Sequence, residues 1–343
     1  MKIPYTLIPA VKLDQRHRHM QIAVNLGYPR LGHTPIDETA SLSIACYGPS
    51  LVDTWMYLKP PILSVSGALH FLAARGIVPD YHVQMDPRAD NTPYVDPPIP
   101  GVHYLMASVC HPSIWSILRG HNVTIWHPAS DKCKTLDWLT QHDLGQPMVL
   151  GGSHVGLAAL HIGGMLGARH FEIHGMDASI RDGQRHAGKH YGHKQGGITW
   201  DAGGVTWQTS KIMANGAVDT INTLEHCPIF CVFHGRGLQQ ELVREAKLDT
   251  ACCADEIAKA AFVRRAKPIF YPLEEVRHDS TESVYRVRSE AAGGVPSGRA
   301  LGLETRECAG SDHAPATQPV AAAPLRLDPI HLQPVSRPVP IGV

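Results

Sequence analysis

The sequence predicts an α/β fold: one doubly wound domain with a mainly parallel sheet, then a helical C-terminal extension and a disordered tail. Short apolar runs alternate with longer runs of helical period from residue 41 onward. That is the pattern of repeated βαβ units, whose strands pair in parallel. Proline and glycine punctuate the changes of period, as at Pro60-Pro61 and at Gly76 with Pro79. Glycine, serine and aspartate recur where the apolar runs stop, and strand ends are where open α/β sheets bind their ligands.

Residues 1–40 carry Pro4, Pro9, Pro29, Pro35 and the basic cluster Arg16–His19, and read as a partly ordered lead-in. LSIAC (42–46) is a strand, PSLVDTWMYL (49–58) a helix, ILSV (62–65) a strand, GALHFLAARG (67–76) a helix and DYHVQMD (80–86) a strand. Residues 87–101, rich in Pro and Asp, read as a surface loop. HYLMA, a short helix from Pro112 to Leu118 and NVTIWH continue the alternation. PMVL is the next strand, turning through GGS into a helix that ends at Gly167. On that helix Val155, Ala159, Ile162 and Leu166 share one face, the spacing of an amphipathic helix lying on a sheet. FEIHG is a strand, 178–197 a loop, ITWDAGGVTW a hairpin, 209–224 a helix and IFCVF a strand.

Residues 238–286 form the expected extension, helical over 238–266 where charge alternates with Ala and Leu. From 287 to 343 Pro, Ala, Gly and Ser dominate, and such a segment buries too little apolar area to offset the entropy of ordering. The main domain is therefore expected over 41–237.

Of 343 residues, 31 are Lys or Arg and 31 are Asp or Glu, so no global charge draws the chain to nucleic acid or to an anionic membrane. No run approaches the ~18 consecutive apolar residues of a membrane span, and MKIPYTLIPAVKL lacks the apolar core of a signal peptide. The eight cysteines show no CxxC spacing and several lie in apolar runs, as reduced buried thiols do. A soluble protein of a reducing compartment, the cytoplasm, is expected.

Two glycine-serine turns lie between a strand and a helix, where backbone N–H groups and the helix dipole favour an anion. The first is Gly48, Pro49 and Ser50; the second is Gly151, Gly152 and Ser153. Either serine can equally serve as a helix cap. Neither turn matches GxxxxGK[ST] or GxGxxG, which disfavours Walker-type kinases and ordinary dinucleotide dehydrogenases. Asp86 and Asp177 both follow apolar strands, and suit Mg²⁺, ribose hydroxyls or turn capping. The loop after Asp177 holds Arg181, Arg185, Lys189 and Lys194 with His186, His190 and His193. A basic loop there can close over phosphates, and a histidine in it can take a proton from an attacking hydroxyl. Zinc on the three histidines is the weaker reading, because the glycines oppose the helix that would align an HxxxH pair. Tyr191 is placed to donate to a leaving phosphate, and Trp200 and Trp207 read as packing residues.

At these motifs the chain resembles the MptE-like family, which includes archaeal 6-hydroxymethylpterin diphosphokinases and, more distantly, the Maf motility-associated flagellin glycosyltransferases. The matching segments are SIACYGPSL, SVSGALHFLAARGIVPDYHVQMDP, VLGGSHVGLAALHIGGMLGARHFEIHGMDAS with RHAGKH, and VTWQTSKI, in order from residue 43 to about 235. The resemblance implies a Rossmann-like domain and a nucleotide-dependent transfer. It makes Gly48, Pro49 and Ser50 the glycine turn, Asp86 the first aspartate, Gly152 and Ser153 the second turn, and Gly175 with Asp177 the GxD motif. Ser66, Arg185 and Lys189 join these as phosphate-binding candidates. A histidine after GxD is shared in pattern with bacterial sialyltransferases, where it resembles a general base, and His186 is the position that fits.

A diphosphokinase would use ATP, with Mg²⁺ on Asp86 or Asp177. A glycosyltransferase would use a nucleotide sugar, with His186 as base and metal optional. A third alternative is a nucleotide-binding or assembly protein without catalysis. The expected partner is a small-molecule nucleotide; the sequence leaves acceptor and oligomeric state open.

Overall fold

In the computed structural model eight parallel strands form the sheet, and their order carries the functional information. The structure describes residues 11–129, 134–142, 146–150, 152–188 and 197–248, and the backbone of 270–271. The strands are β1 (Ser41–Ala45), β2 (Ile62–Val65), β3 (Tyr81–Gln84), β4 (His103–Ala107), β5 (Asn122–Ala129), β6 (Met148–Leu150) and β7 (His170–His174). A separate antiparallel hairpin, β8 (Ile198–Ala202) and β9 (Val205–Thr209), precedes β10 (Phe230–His234). The order across the sheet is β10-β7-β1-β2-β3-β4-β5-β6, with β11 (Phe270–Tyr271) antiparallel beside β6.

The chain thus steps from β1 to β6 in one direction and then returns to place β7 on the other side of β1. The helices of this circuit are α1 (Leu13–Asn25), α2 (Leu51–Thr54), α3 (Ala68–Ala73), α4 (Ser113–Ile117), α5 (Thr135–His142), α6 (Val155–Met165), α7 (Lys211–Leu224) and α8 (Leu238–Glu245). Parallel crossovers are right-handed, so reversing the direction of travel moves the connecting helix to the other face. The packing shows this: Leu42 and Ile44 of β1 join the cluster that contains Leu157 and Ile162 of α6. Ala45, with Ile62 of β2, packs instead on Leu51, Ala68, Phe71 and Leu72 of α2 and α3. The fold is a doubly wound, Rossmann-like sheet, and its switch point lies between β1 and β7.

Several elements differ from expectation. The lead-in is ordered from residue 11: α1 buries His19, Met20, Ala23 and Val24, and the Leu31 amide donates to the Ile125 carbonyl at 2.8 Å. Residues 29–31 therefore lie along β5 and are part of the fold. Helix α2 is a single turn, continued by a 3-10 turn over Trp55–Tyr57. The expected surface loop 87–101 is partly core, because Asn91, Tyr94 and Val95 are buried.

Helix α6 is not amphipathic, since every residue from Gly156 to Met165 is buried. It has no solvent face because it crosses beneath the sheet while other elements cover it. A Cβ at Gly163 would come within 2.5 Å of the Phe171 ring and 2.8 Å of Leu42, so the missing side chain sets how closely α6 approaches. Helix α5 falls in a stretch that periodicity left unread. The helix expected over 238–266 is observed from Leu238 to Glu245, and the 287–343 tail lies outside the described residues.

Three buried histidines face strand or helix neighbours. His82 and His127 pair by Nδ1 with the Ser64 and Ser108 hydroxyls at 3.0 and 2.9 Å. Burial drives His82 and His127 down to about 3 and His161 down to about 4. All three are neutral in the folded protein at neutral pH. A histidine whose folded pKa is depressed binds more protons unfolded, so its contribution is present above the unfolded pKa and is lost as pH falls below it. Stability should fall between pH ~6.5 and ~4 by up to ~1.4 kcal/mol per pH unit for each of them. Urea midpoints followed by circular dichroism at pH 7.5 and 5.0 check this; equal midpoints would contradict it.

Candidate functional site

The carboxyl ends of β1, β2, β3 and β7 enclose a cavity of about 250 Å³ at the switch point, where an open α/β sheet leaves its crevice. The volume lies just under the ~300–1,000 Å³ usual for small-molecule sites, the size of one moiety of a larger ligand.

Beyond β1 the chain turns through Cys46 to Ser50. The Cys46 amide donates to the His174 carbonyl at 2.8 Å and the Gly48 amide to the Gly175 carbonyl at 2.7 Å, which laces the ends of β1 and β7 together. A Cβ at Gly48 would lie 2.4 Å from that Gly175 oxygen and 2.6 Å from Asp177 Oδ2. The Ser50 amide donates to Asp177 Oδ2 at 2.6 Å, and the Ser50 hydroxyl donates to Oδ1. Gln240 Nε2, from α8, donates to the same Oδ1 at 3.1 Å. Asp177 is only 2% exposed. Burial holds its carboxyl above the ordinary range, against the opposing pull of the Ser50 and Gln240 hydrogen bonds and the Arg181 charge. The anion position of this turn is filled from within. Both groups that Ser50 was expected to offer a phosphate are spent on Asp177, and Gly48 is required by their closeness.

The second turn is closed through its backbone alone. The Ser153 amide donates to Asp219 Oδ2, on α7, at 2.8 Å. Helix α6 is capped by His154, whose Nδ1 accepts from the Leu157 amide at 3.3 Å. Gly152 takes a left-handed φ of 56°, and Gly151 lies outside the described residues. The cavity is lined by His154, Val155 and Gly156 rather than by Gly152 and Ser153. A turn that accepts a carboxylate in the fold reads the same in sequence as one that waits for a phosphate.

Other expected residues converge on the cavity. Asp86, Ser66, Arg185 and His186 line it, with Gly48, Pro49, Gly175 and Asp177. Asp86 is held by Arg88 through two bonds, Nε to Oδ1 at 2.9 Å and Nη2 to Oδ2 at 2.6 Å, with both side chains 29% exposed. Ser66 and Ala178, at the ends of β2 and just past β7, have left-handed φ values of 48° and 51°. Non-glycine residues in that region carry strain, which collects at ligand clamps and active sites.

The His186 ring stacks on Tyr47 with centroids 5.6 Å apart and planes 21° apart, while Tyr94 meets Tyr47 edge-on at 6.2 Å. The loop carrying His186 is anchored at both sides: Arg181 pairs with Asp53 and donates to the Pro49 carbonyl at 3.0 Å, and the Ala187 amide donates to the Tyr47 carbonyl at 3.0 Å. Lys189, His190, Tyr191, His193 and Lys194 lie outside the described residues, so the three-histidine zinc reading does too.

Of the two carboxylates expected to hold Mg²⁺, Asp177 is the one committed within the protein. Each Asp177 oxygen already accepts from a neighbour in a buried setting. A cation there would have to displace the bonds that close the β1 turn. Asp86 is the carboxylate that a cation could approach, and only if Arg88 turns away.

Sequence reasoning missed Tyr47, Arg88, Tyr94 and Gln239, which line the cavity, as well as Gln240 and Asp219. Tyr47 sits inside a quoted motif, one residue before Gly48, and Arg88 lies just past the end of another, two residues after Asp86. Gln239, Gln240 and Asp219 have no local signal, because they reach the site from helices α8 and α7, remote in sequence.

Residues 32–183 match the family described as 6-hydroxymethylpterin diphosphokinase MptE-like. No curated protein matches the chain. Among solved structures it is similar to a Maf glycosyltransferase from Magnetospirillum magneticum AMB-1, with 16% identity and a TM-score of 0.49 over 74% of this chain and 43% of that one. The chain therefore spans less than half the length of that protein.

Asp177→Ala should strand the buried Ser50 and Gln240 donors and cost on the order of 2–4 kcal/mol. Asp86→Ala, at a partly exposed ion pair, should cost less than ~1 kcal/mol. Urea unfolding of the two variants measures the difference; equal losses would show that Asp177 does not close the turn.

Proposed function

We propose, from the membership of residues 32–183 in the MptE-like family, that the chain is a nucleotide-dependent transferase whose substrate binds in the switch-point cavity. The observation that supports it most is the convergence of Arg88, Arg185 and His186 with two tyrosines on that cavity. Two guanidiniums are suited to the planar, multidentate recognition of phosphate oxygens. Arg88 would exchange its Asp86 partner for a phosphate, and Ser66 would add a hydroxyl donor.

In the reading closest to the family description, an acceptor hydroxyl attacks the β-phosphorus of a nucleoside triphosphate. The O–P bond to the acceptor forms as the bond to the α-phosphate oxygen breaks, and the nucleoside monophosphate leaves. His186 takes the acceptor's proton, the role of a general base. Tyr47 sets the plane of its ring through the stack. The remaining barrier is lowered by positioning and by neutralising charge with the arginines. Asp177 supports this geometry from below by holding the turn that carries Tyr47 and Pro49. Mg²⁺ entering with the triphosphate would be met on the protein side by Asp86, not by Asp177.

A second reading, glycosyl transfer from a nucleotide sugar, draws support from one feature. The committed state of Asp177 leaves a site built around arginines and a histidine, which can hold a departing nucleotide phosphate without a metal. His186 would again accept the acceptor's proton.

A thermal-shift series against ATP, GTP, CTP, UTP, CMP and nucleotide sugars, with and without Mg²⁺, tests the proposal, since ligands of the folded state raise the melting temperature. A shift with a triphosphate supports the first reading, and a shift with CMP or a nucleotide sugar supports the second. Arg88→Ala should weaken the binding about tenfold or more, the loss of one charge-assisted contact. His186→Ala should keep binding and lower turnover by roughly 10²–10⁴. If no nucleotide shifts the wild-type protein, the transferase reading fails.

A further inference from the structure

The outer end of the sheet carries a cluster that the cavity does not use. Strands β7 and β10 pair in parallel with His174 opposite His234 and Glu172 opposite Val232. Residues two apart on a strand share a face, so Glu172, His174 and His234 stand together at the sheet edge. One potential ligand atom from each lies within 4.8 Å of the other two, the one such group of three among the described residues.

The two imidazoles stack with centroids 4.2 Å apart and planes 5° apart, and His234 Nε2 is hydrogen-bonded to Glu172 Oε2. His174 is 0% exposed, and neither of its ring nitrogens has a hydrogen-bond partner of good geometry; the backbone of Thr54 offers it a weak acceptor. A buried imidazole lacking a good partner is costly unless something completes it. Glu172 and His234, each side chain 30% exposed, open onto a groove bordered by Met56, Tyr57, Leu58 and Lys59.

We infer that Glu172, His174 and His234 form a binding site for a first-row transition dication of the zinc class, separate from the nucleotide cavity and independent of how that cavity is read. Two neutral imidazoles and one carboxylate are the donor set that such ions take in three-ligand sites with an open position. His174 is buried and neutral, ready to ligate. Zinc bonds of ~2.0–2.2 Å require ligand atoms to lie somewhat closer together than they do now, and parallel stacked rings aim their lone pairs side by side. The half-exposed His234 therefore turns out of the stack to converge with His174, and its bond to Glu172 is replaced by bonds from both residues to the ion. Lys59 Nζ lies 3.8 Å from Glu172 Oε1 and opposes a cation, but its side chain is 77% exposed and can swing into water. The fourth ligand is water or a group from the groove. Because His174 ends the strand that continues into Gly175 and Asp177, a bound ion would also pin β10 to the strand that carries the nucleotide site.

The test uses full-length protein made without a histidine tag and stripped with chelator, titrated with Zn²⁺ against a chromophoric competitor and, separately, with Co²⁺. One equivalent should bind at micromolar concentration, with a cobalt spectrum of nitrogen and oxygen ligation and no thiolate charge-transfer band. In Glu172→Gln and His234→Ala, shown to be folded by circular dichroism, the stoichiometry should fall by one, or the affinity at least tenfold. His186→Ala should leave it unchanged, which separates this site from the loop histidines. Wild-type protein that takes up no zinc at micromolar concentration overturns the inference. So do Glu172→Gln and His234→Ala variants that bind as the wild type does.

Discussion

The buried carboxylate of Asp177 is the interaction on which the site depends. It joins three parts of the chain: the turn after β1 through both donors of Ser50, the strand end of β7 from which it projects, and α8 through Gln240. The backbone is tied in as well, since the Gln239 amide donates to the Asp177 carbonyl at 2.9 Å. An ionisable group so deeply buried is tolerated only when its hydrogen bonds are made. Here those bonds tie the β1 turn and α8 to the segment after β7, beside the Cys46 and Gly48 amides that lace the two strand ends together. The cavity owes its floor to this closure, and its polar wall to side chains that face inward from the surrounding segments.

Second to this is the division of labour along the rim. Strand ends near the centre of the sheet supply short side chains and strained backbone at Ser66 and Ala178, whereas charge is delivered by segments that follow the strands: Arg88 after β3, and Arg185 with His186 in the loop after β7. Tyr47 links the two sets. It belongs to the β1 turn, carries the His186 ring on one face, and receives the Ala187 amide on its backbone. The loop is thereby positioned by the same turn that Asp177 stabilises, so site geometry and fold stability share one set of contacts.

Reading the motifs from sequence went furthest where local periodicity and topology agree. The βαβ alternation, the parallel sheet, the hairpin around Gly203-Gly204 and the clustering of Asp86, Asp177 and His186 at one edge were all legible, because strand period and crossover rules act on neighbouring residues. The reading faltered where a residue's partner lies far along the chain. Ser50 and Asp177 are 127 positions apart and Ser153 and Asp219 are 66 apart, and no pattern within a window of a few turns distinguishes a serine that meets an internal carboxylate from one that meets a phosphate. Helix α6 was misread for a related reason, since its apolar stripe is real but its remaining faces are covered by elements that the stripe does not name.

The sequence by itself determined the class of the molecule: alternating strands and helices, glycine, serine and aspartate residues at the strand ends, a balanced charge, and a set of basic and histidine residues just past β7. Tertiary structure alone decided which of those residues are available. Burial enclosed the Asp177 carboxyl among the Ser50 and Gln240 donors that hold it, and the pairing of β10 on β7 brought His234 over His174. Each of these depends on distance through space and on exclusion of water. Both are properties of the packed chain, and neither is written in the spacing of its residues.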